Sequence, residues 1–422
     1  MGPMEPKQLP RTPAEHQDTR QRVRGIVGAP AVRYAGGVLG TIAAQAAEAD
    51  RTRTVAAPAL AGIRSSELLS LSACRELGGR EESVGAIAAE LEAVAAACAS
   101  TAWCLWNHLC VFHLYCGALG PGHAELLGSI VANREWVCFP GGAGSRLLGR
   151  LDGDAVVLDG PTQFGSGCRY ADWAGAAFAV LDPATGRPSS PPDLRFTIVR
   201  LDGAGVSIEP TWDGASLRAS STDTVSYRDV AVPVARCEPW FAANRAEALR
   251  DPALAVINHR YREDWVGLSD LWLGAMAIGV CAAALDDTVE EVGGRRAIMG
   301  RPMHAIAGVQ FHLGRAALAL AAARACVVQG CADVDARIAS ATTPDDAAEL
   351  RQYALSVAAL AHCETAMDHL QKTLGGNGLR EGHPFERRYR DFQAMPVHIN
   401  AHEDRVTERL GRHLLAVAPE KF

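Results

Sequence analysis

Several things are missing from this sequence, and each absence closes off a class of protein. There is no CxxC pair: twelve cysteines stand at scattered spacings, and two close pairs, Cys110/Cys116 and Cys326/Cys331, read as helical neighbours rather than disulfides. There is no excess of basic charge. The formal net charge of −7 provides neither the field nor the patches that nucleic acid or an anionic membrane surface requires. There is no long unbroken hydrophobic run. The most apolar stretches, "GAMAIGVCAAAL" and "VAALAHC", read as too short and too interrupted to span a bilayer. No GxGxxG follows a strand and opens a helix, and there is no P-loop, so the chain lacks an evident nicotinamide or nucleoside triphosphate site of its own. Residues 1–18 are polar and proline-rich and read as a disordered tail. No apolar signal segment follows it, which predicts a cytoplasmic protein.

What is present is a chain of 422 residues, 48% of them apolar, enough for a large core divided into two or three units. From residue 19 to 130 the pattern is helical: "SVGAIAAELEAVAAACASTAWCLWNHL" sets apolar residues at three- and four-residue steps and is rich in alanine. From 131 to 239 the period changes to two, in short runs such as "AVVLDG", "LRFTIVRLDGAGVSIEP" and "TVSYRDVAVP", separated by Asp-Gly and proline-rich turns. Helical patterns resume from 240 to 422. One apolar stripe runs Tyr353, Val357, Leu360, Cys363, Met367, Leu370, Leu374 and stops at Gly375-Gly376. A last helix is expected over about 400–417. The predicted class is α+β: an N-terminal helical domain, a central β-barrel or sandwich, and a C-terminal four-helix bundle.

Within this frame stand four local motifs: "PGGAGS" (Pro140 to Ser145), "FGSGCRYADW" (Phe164 to Trp173), "SYRDVAVP" (Ser226 to Pro233) and "LQKTLGGNGLREGHPFERRYRD" (Leu370 to Asp391). Singly each is an ordinary turn or helix end. Together, in this order and separated by these element types, they resemble the acyl-CoA dehydrogenase superfamily. Within it they look most like the two-component flavin-dependent monooxygenases (group D). The resemblance implies a flavin, FAD or FMN, lying on backbone at Gly142, Ala143, Gly144 and Ser145, where a flat ring tolerates no Cβ. It implies that Phe164 packs the ring and Ser166 hydrogen-bonds near its N5. Gly375, Gly376 and Gly378 would touch the flavin's diphosphate across a subunit interface through exposed N–H groups, which implies a homotetramer. Arg296 or Arg301, in a stretch echoing a family arginine–glycine–glutamine segment, would meet the diphosphate as well.

Which chemistry such a site performs depends on its base. An acyl-CoA dehydrogenase needs a carboxylate to remove the α-proton beside a thioester. At the place where many members carry it stands Ile399, preceded by His398. Asp270, or Ser269 beside it, lies near a second place used by some members. The monooxygenase relatives pair a histidine on the last helical segment with a serine in the second turn, and His398 with Ser166 fit that pair. The implied cycle runs through reduced flavin, O₂ and a C4a-hydroperoxide, with an imidazole of pKa near neutrality as acid or base. The reduced flavin would come from a separate reductase, and the substrate would be a small molecule of secondary metabolism, oxidised at carbon, nitrogen or sulfur. Acyl-thioester dehydrogenation with a relocated base is the alternative, and a flavin-free scaffold is a third reading. Several residues keep two readings at this point. His398 is an acid–base group or a surface capping residue, with His402 and His413 as neighbours. Trp103, Trp106, His108 and Phe112 line a substrate pocket or belong to the core. Asp270 faces that pocket or is a solvated, paired carboxylate. His108 and His113, five apart with no carboxylate between them, miss the spacing of a metal site, and no metal is expected.

Overall fold

The computed structural model describes residues 13–142, 144–240 and 245–418. Among these residues helices come first: α1 (Pro13–Val27), α2 (Gly36–Thr52), α3 (Ala57–Ser65), α4 (Val84–Ala97), α5 (Ala99–Leu119) and α6 (Ala124–Ala132). Strands follow: β1 (Val137–Cys138), β2 (Leu148–Asp152), β3 (Ala155–Gly165), β4 (Trp173–Val180), β5 (Leu194–Arg200), β6 (Val206–Glu209), β7 (Asp223–Pro233) and β8 (Glu238–Pro239). Helices then return as α7 (Arg245–Arg250), α8 (Trp265–Gly294), α9 (Ala307–Ala339), α10 (Asp346–Leu374), α11 (Pro384–Phe392) and α12 (Glu403–Leu414). Residues 13–18, read from their polarity as part of a disordered tail, belong to α1. Polarity of a short segment does not exclude a helix that docks one face on its neighbours, and α1 packs on α8 and α9.

Local signals explain where the long helices begin and end. The Ser83 hydroxyl accepts the Ala86 N–H at 3.1 Å to start α4. Asp264 caps α8 through Val266 N–H, and Asp345 caps α10 through Ala348 N–H at 2.8 Å. Each supplies an acceptor to a donor that lacks an intrahelical partner. α10 stops at Gly375, whose φ of 61° lies in the left-handed region.

The central strands form one open mixed sheet in the order β6-β7-β3-β2-β4-β5-β8, with β1 pairing to β4 in parallel. A closed barrel or a two-sheet sandwich was expected, and the structure corrects this. The alternating pattern specifies one buried face per strand but not whether the outermost strands meet. Helix α5 covers part of the sheet: Val111 and Tyr115 share a core with Phe196 and Ile198, and the Tyr115 hydroxyl donates to Cys138 O at 2.7 Å. The larger core runs through both helical stretches of the chain, joining residues of α2–α5 to residues of α8–α11. α8 and α9, at 30 and 33 residues, are long and apolar enough to cross a membrane by length and composition, which the shorter runs picked out in the sequence did not suggest. In α8 that apolar window is 89% buried inside the fold. Every cysteine, including Cys110, Cys116, Cys326 and Cys331, is a free thiol.

Candidate active site

The two glycine-rich turns meet. Gly142 N–H donates to Gln163 O at 3.0 Å, and the Ser145 hydroxyl accepts Gln163 N–H at 3.0 Å. A Cβ on Gly142 would stand 2.4 Å from Cδ2 of Phe164, and one on Gly144, whose φ is +98°, would stand 2.6 Å from the Gln163 side chain. The glycines are therefore set by close approach. Ala143 lies outside the described residues. The Phe164 ring is 53% exposed, on a residue with φ of 59°. A bare aromatic ring on a left-handed, non-glycine residue is the kind of local strain that marks a binding surface.

The pairing of β3 with β7 shifts register between Thr162 and Gly165. Such a bulge bends the strand and re-aims the residues next to it. Here it turns Ser166 inward to α5: Trp103 Nε1 donates to Ser166 Oγ at 2.9 Å. Ser166 Oγ lies 3.1 Å from Thr222 Oγ1, and Thr222 lies 2.7 Å from Ser220 Oγ. When Ser166 donates along this hydroxyl chain, one lone pair is taken by Trp103 and the other is left to accept from a ligand N–H. Thr222 and Ser220 were not singled out in the sequence. The run "SSTD" at 220–223 is the signal that could have found them, but its burial is a tertiary fact.

His398 stands just before the turn Ile399–Ala401, makes no side-chain capping bond to it, and sets its ring against both tryptophans. Its centroid is 5.5 Å from that of Trp103 and 5.2 Å from that of Trp106, nearly edge-on to each. His398 Nδ1 is buried and has no hydrogen-bond partner among the described residues. Burial pushes its pKa down to about 4, with His402 adding to the shift. The imidazole is thus neutral at pH 7, which corrects the expected value near neutrality; the tryptophans removed water that the sequence could not show leaving. His402 pairs with Asp404 at 3.0 Å, and His413 is exposed.

Of the other candidates, Trp106 is bonded through Nε1 to Ser269 O at 2.9 Å, and Asp270 follows on α8, 1% exposed. The solvated reading of Asp270 is therefore wrong. His108 and Phe112 are not brought to this cluster. His108 packs between Phe112 and Trp136, its Nε2 2.8 Å from Leu69 O and its Nδ1 accepting Val137 N–H at 3.0 Å. Both ring nitrogens are used by backbone, and burial pushes its pKa to about 4. Phe112 stacks near it, with centroids 6.4 Å apart. His113 Nε2 lies 2.9 Å from Glu263 O.

The C-terminal glycine turn stands apart. Gly375 and Gly376 are exposed and would meet nothing within 4 Å if they carried a Cβ, whereas a Cβ on Gly378 would stand 2.8 Å from Leu374 Cβ. The first two leave room for an incoming group; Gly378 serves packing. The turn's main neighbours are α10 and α11. Arg301 lies on an exposed turn, and its guanidinium donates to Ala305 O at 3.0 Å.

Residues 271–403 match the family described as "Acyl-CoA dehydrogenase, C-terminal domain". The structure superposes on XiaF from Streptomyces sp., solved in complex with FADH2 and glycerol. The TM-score is 0.82, with 97% of this chain and 98% of XiaF covered at 21% identity. The chain has the acyl-CoA dehydrogenase fold. Its relatives in sequence include the pigment production hydroxylase of Rhodococcus sp. (strain ATCC 21145), 25% identical over 83% of this chain and 87% of that one. Another is the oxygenase component of the FADH(2)-dependent resorcinol hydroxylase of Rhizobium sp. (strain MTP-10005), 26% identical over 93% and 96%.

Proposed function

We propose that this chain is the oxygenase component of a two-component flavin-dependent monooxygenase, taking reduced flavin from a separate cytoplasmic reductase and O₂ to hydroxylate a small molecule of secondary metabolism. FAD is the favoured flavin, since the resorcinol hydroxylase relative is named FADH(2)-dependent and XiaF was solved with FADH2. The residues present fit such a ring: a glycine turn that a Cβ would block, a bare Phe164 and a buried serine with a lone pair to spare. Bound there, reduced flavin supplies the two electrons that activate O₂.

This chain's own residues do the rest. Gly142, Gly144 and Ser145 hold the turn against β3, Ser166 accepts a flavin N–H, and the tryptophan pair keeps water from the reacting face. His398, neutral and unpartnered at Nδ1, is available to take a proton from a substrate hydroxyl. Gly375, Gly376 and Arg301 would complete a neighbouring subunit's site in a homotetramer; within the chain the main neighbours of the glycine turn are α10 and α11.

One observation carries this reading: a neutral imidazole packs edge-on against Trp103, the indole that donates to Ser166, and against Trp106. Acyl-thioester dehydrogenation would need Asp270 as the base. Burial raises its carboxyl well above the ordinary range, which disfavours the ionised form that such a base requires. The test is to supply NADH, FAD and an unrelated flavin reductase and to measure flavin binding and O₂ uptake. The proposal predicts binding of reduced flavin tighter than oxidised, and O₂ consumption that rises with a suitable substrate. Bleaching of the bound oxidised flavin by acyl-CoA, with no reductase present, would instead establish the dehydrogenase.

A further inference from the structure

Ser166 Oγ has two hydrogen-bond partners among the described residues, and they differ in kind. Trp103 Nε1, 2.9 Å away, is an indole N–H and can only donate. Thr222 Oγ1, 3.1 Å away, is a hydroxyl and can donate or accept. One lone pair of Ser166 is therefore always taken. Its single hydrogen has two destinations, Thr222 or a ligand. Thr222 has the matching choice, because Ser220 Oγ stands 2.7 Å beyond it.

The three hydroxyls are buried, so bulk water does not replace a missing partner. Their backbone is pinned from several sides. Ser220 O accepts the N–H of Gly167, the residue after Ser166, at 2.8 Å, and the Cys104 thiol of α5 donates to it at 3.3 Å. Between Ser220 and Thr222, the Ser221 hydroxyl donates to Asp223 at 3.0 Å and accepts Arg169 N–H at 3.1 Å. Held in this way, the chain of hydroxyls responds to a ligand by turning its O–H bonds rather than by moving its oxygens.

Two hydrogen arrangements suit the chain. In the first, Ser220 donates to Thr222, Thr222 to Ser166, and Ser166 outward to a ligand acceptor. In the second, Trp103 and a ligand N–H both donate to Ser166, Ser166 donates to Thr222, and Thr222 to Ser220. The flavin nitrogen assigned to Ser166 presents both cases in turn: a lone pair in the oxidised ring and an N–H after two-electron reduction.

We propose that Thr222 is a positioning residue that lets Ser166 reverse its hydrogen bond with the oxidation state of the flavin, and so sets how strongly this chain prefers reduced flavin to oxidised. This deepens the oxygenase reading and rests on it. With Thr222 in place, Ser166 accepts from reduced flavin and passes its own hydrogen inward. Without the Thr222 hydroxyl, Ser166 still donates to oxidised flavin. Facing an N–H, however, its hydrogen is stranded in a buried site, which is costly. Removing that hydroxyl therefore weakens binding of one oxidation state and spares the other, whereas a loss of packing weakens both.

The experiment measures dissociation constants of oxidised FAD and, without O₂, of dithionite-reduced FAD, together with the reduction potential of the bound FAD. It uses wild type, Thr222→Val and Thr222→Ser, with melting of each flavin-free chain as the check on folding. Thr222→Val is expected to bind reduced FAD about tenfold more weakly, the factor one well-made buried hydrogen bond supplies, and oxidised FAD within about threefold of wild type. The potential of the bound flavin then falls by about 30 mV, the equivalent of tenfold for two electrons. Thr222→Ser restores the hydroxyl and keeps wild-type affinities and potential. Thr222→Val also takes away the partner of Ser220. If it melts lower than wild type, Thr222→Val combined with Ser220→Ala removes the stranded hydroxyl and carries the same expectation. The proposal is overturned if both oxidation states weaken by the same factor, if neither changes, or if Thr222→Ser lowers the potential as far as Thr222→Val. A wild-type chain that takes up neither form of flavin removes the oxygenase reading and this proposal with it. A chain that binds reduced flavin and consumes O₂, with a potential unmoved by Thr222→Val, removes this proposal alone.

Discussion

His398 and His108 are both pushed down to about pKa 4 by burial, yet they differ in what their nitrogens do. His108 spends both on backbone; His398 leaves Nδ1 free. A histidine whose folded pKa lies below its unfolded value of about 6.5 stabilises the fold above that value and loses the contribution as pH falls toward the folded pKa. Stability should therefore decline between about pH 6.5 and 4, with His108 alone accounting for up to about 3 kcal/mol. Denaturant melts across this range should be flatter in His108→Gln than in wild type. Activity should show no loss on that account between pH 6 and 8, where both rings stay neutral. His398→Asn should slow product formation by on the order of 10²-fold, the usual worth of a positioned base, with flavin affinity changed little; equal loss of both would give His398 a structural role. Ser166→Ala removes the acceptor of Trp103 Nε1 and, in the proposed site, of the flavin N–H. Coupling should fall, with most of the consumed O₂ released as H₂O₂, measured as peroxide formed per NADH oxidised.

At the scale of elements, the contact between α4 and α8 is closest at Gly279. A Cβ there would stand 2.1 Å from Glu92 O and 3.2 Å from Ala95 Cβ. The backbone cannot retreat, because the Glu92 side chain is itself tied to Arg324 at 2.7 Å. Gly279→Ala should cost about 1–3 kcal/mol by overpacking, read as a lower Tm. Gly142→Ala is the contrast: its Cβ meets the Phe164 ring, an exposed side chain that can swing away. Tm should hold while flavin affinity drops about tenfold, as expected when one face of a stacked ring is spoiled.

At the scale of the molecule, large apolar side chains stand out on the turn before α9 and along that helix. Ile298 and Met299 are 92% and 98% exposed, and Phe311 and Leu318, seven residues apart on one face of α9, are 60% and 58% exposed. A surface of this kind fits the proposed homotetramer, in which Gly375 and Gly376 reach a neighbour's flavin. Met299→Asp with Phe311→Asp should lower the mass seen in sedimentation and weaken flavin binding together. Loss of assembly with unchanged flavin affinity would place the whole flavin site in one chain.

The helix–sheet–helix order and the ends of α8 and α10 were legible along the chain, because caps and hydrophobic period act within a few residues; that the two glycine-rich turns hydrogen-bond each other was not. The openness of the sheet was not, since alternation is silent on whether its edges meet. Nor were the depressed pKa of His398, the hydroxyl chain behind Ser166 and the departure of His108 and Phe112 from the tryptophan cluster. All of these depend on which faces of α5, β3 and the Ile399–Ala401 turn come together and exclude water. The sequence by itself determined most of the elements and the residue types of the two glycine-rich turns. Only the tertiary structure decided which buried polar atoms were left without partners, because desolvation belongs to the packed whole rather than to any segment of it.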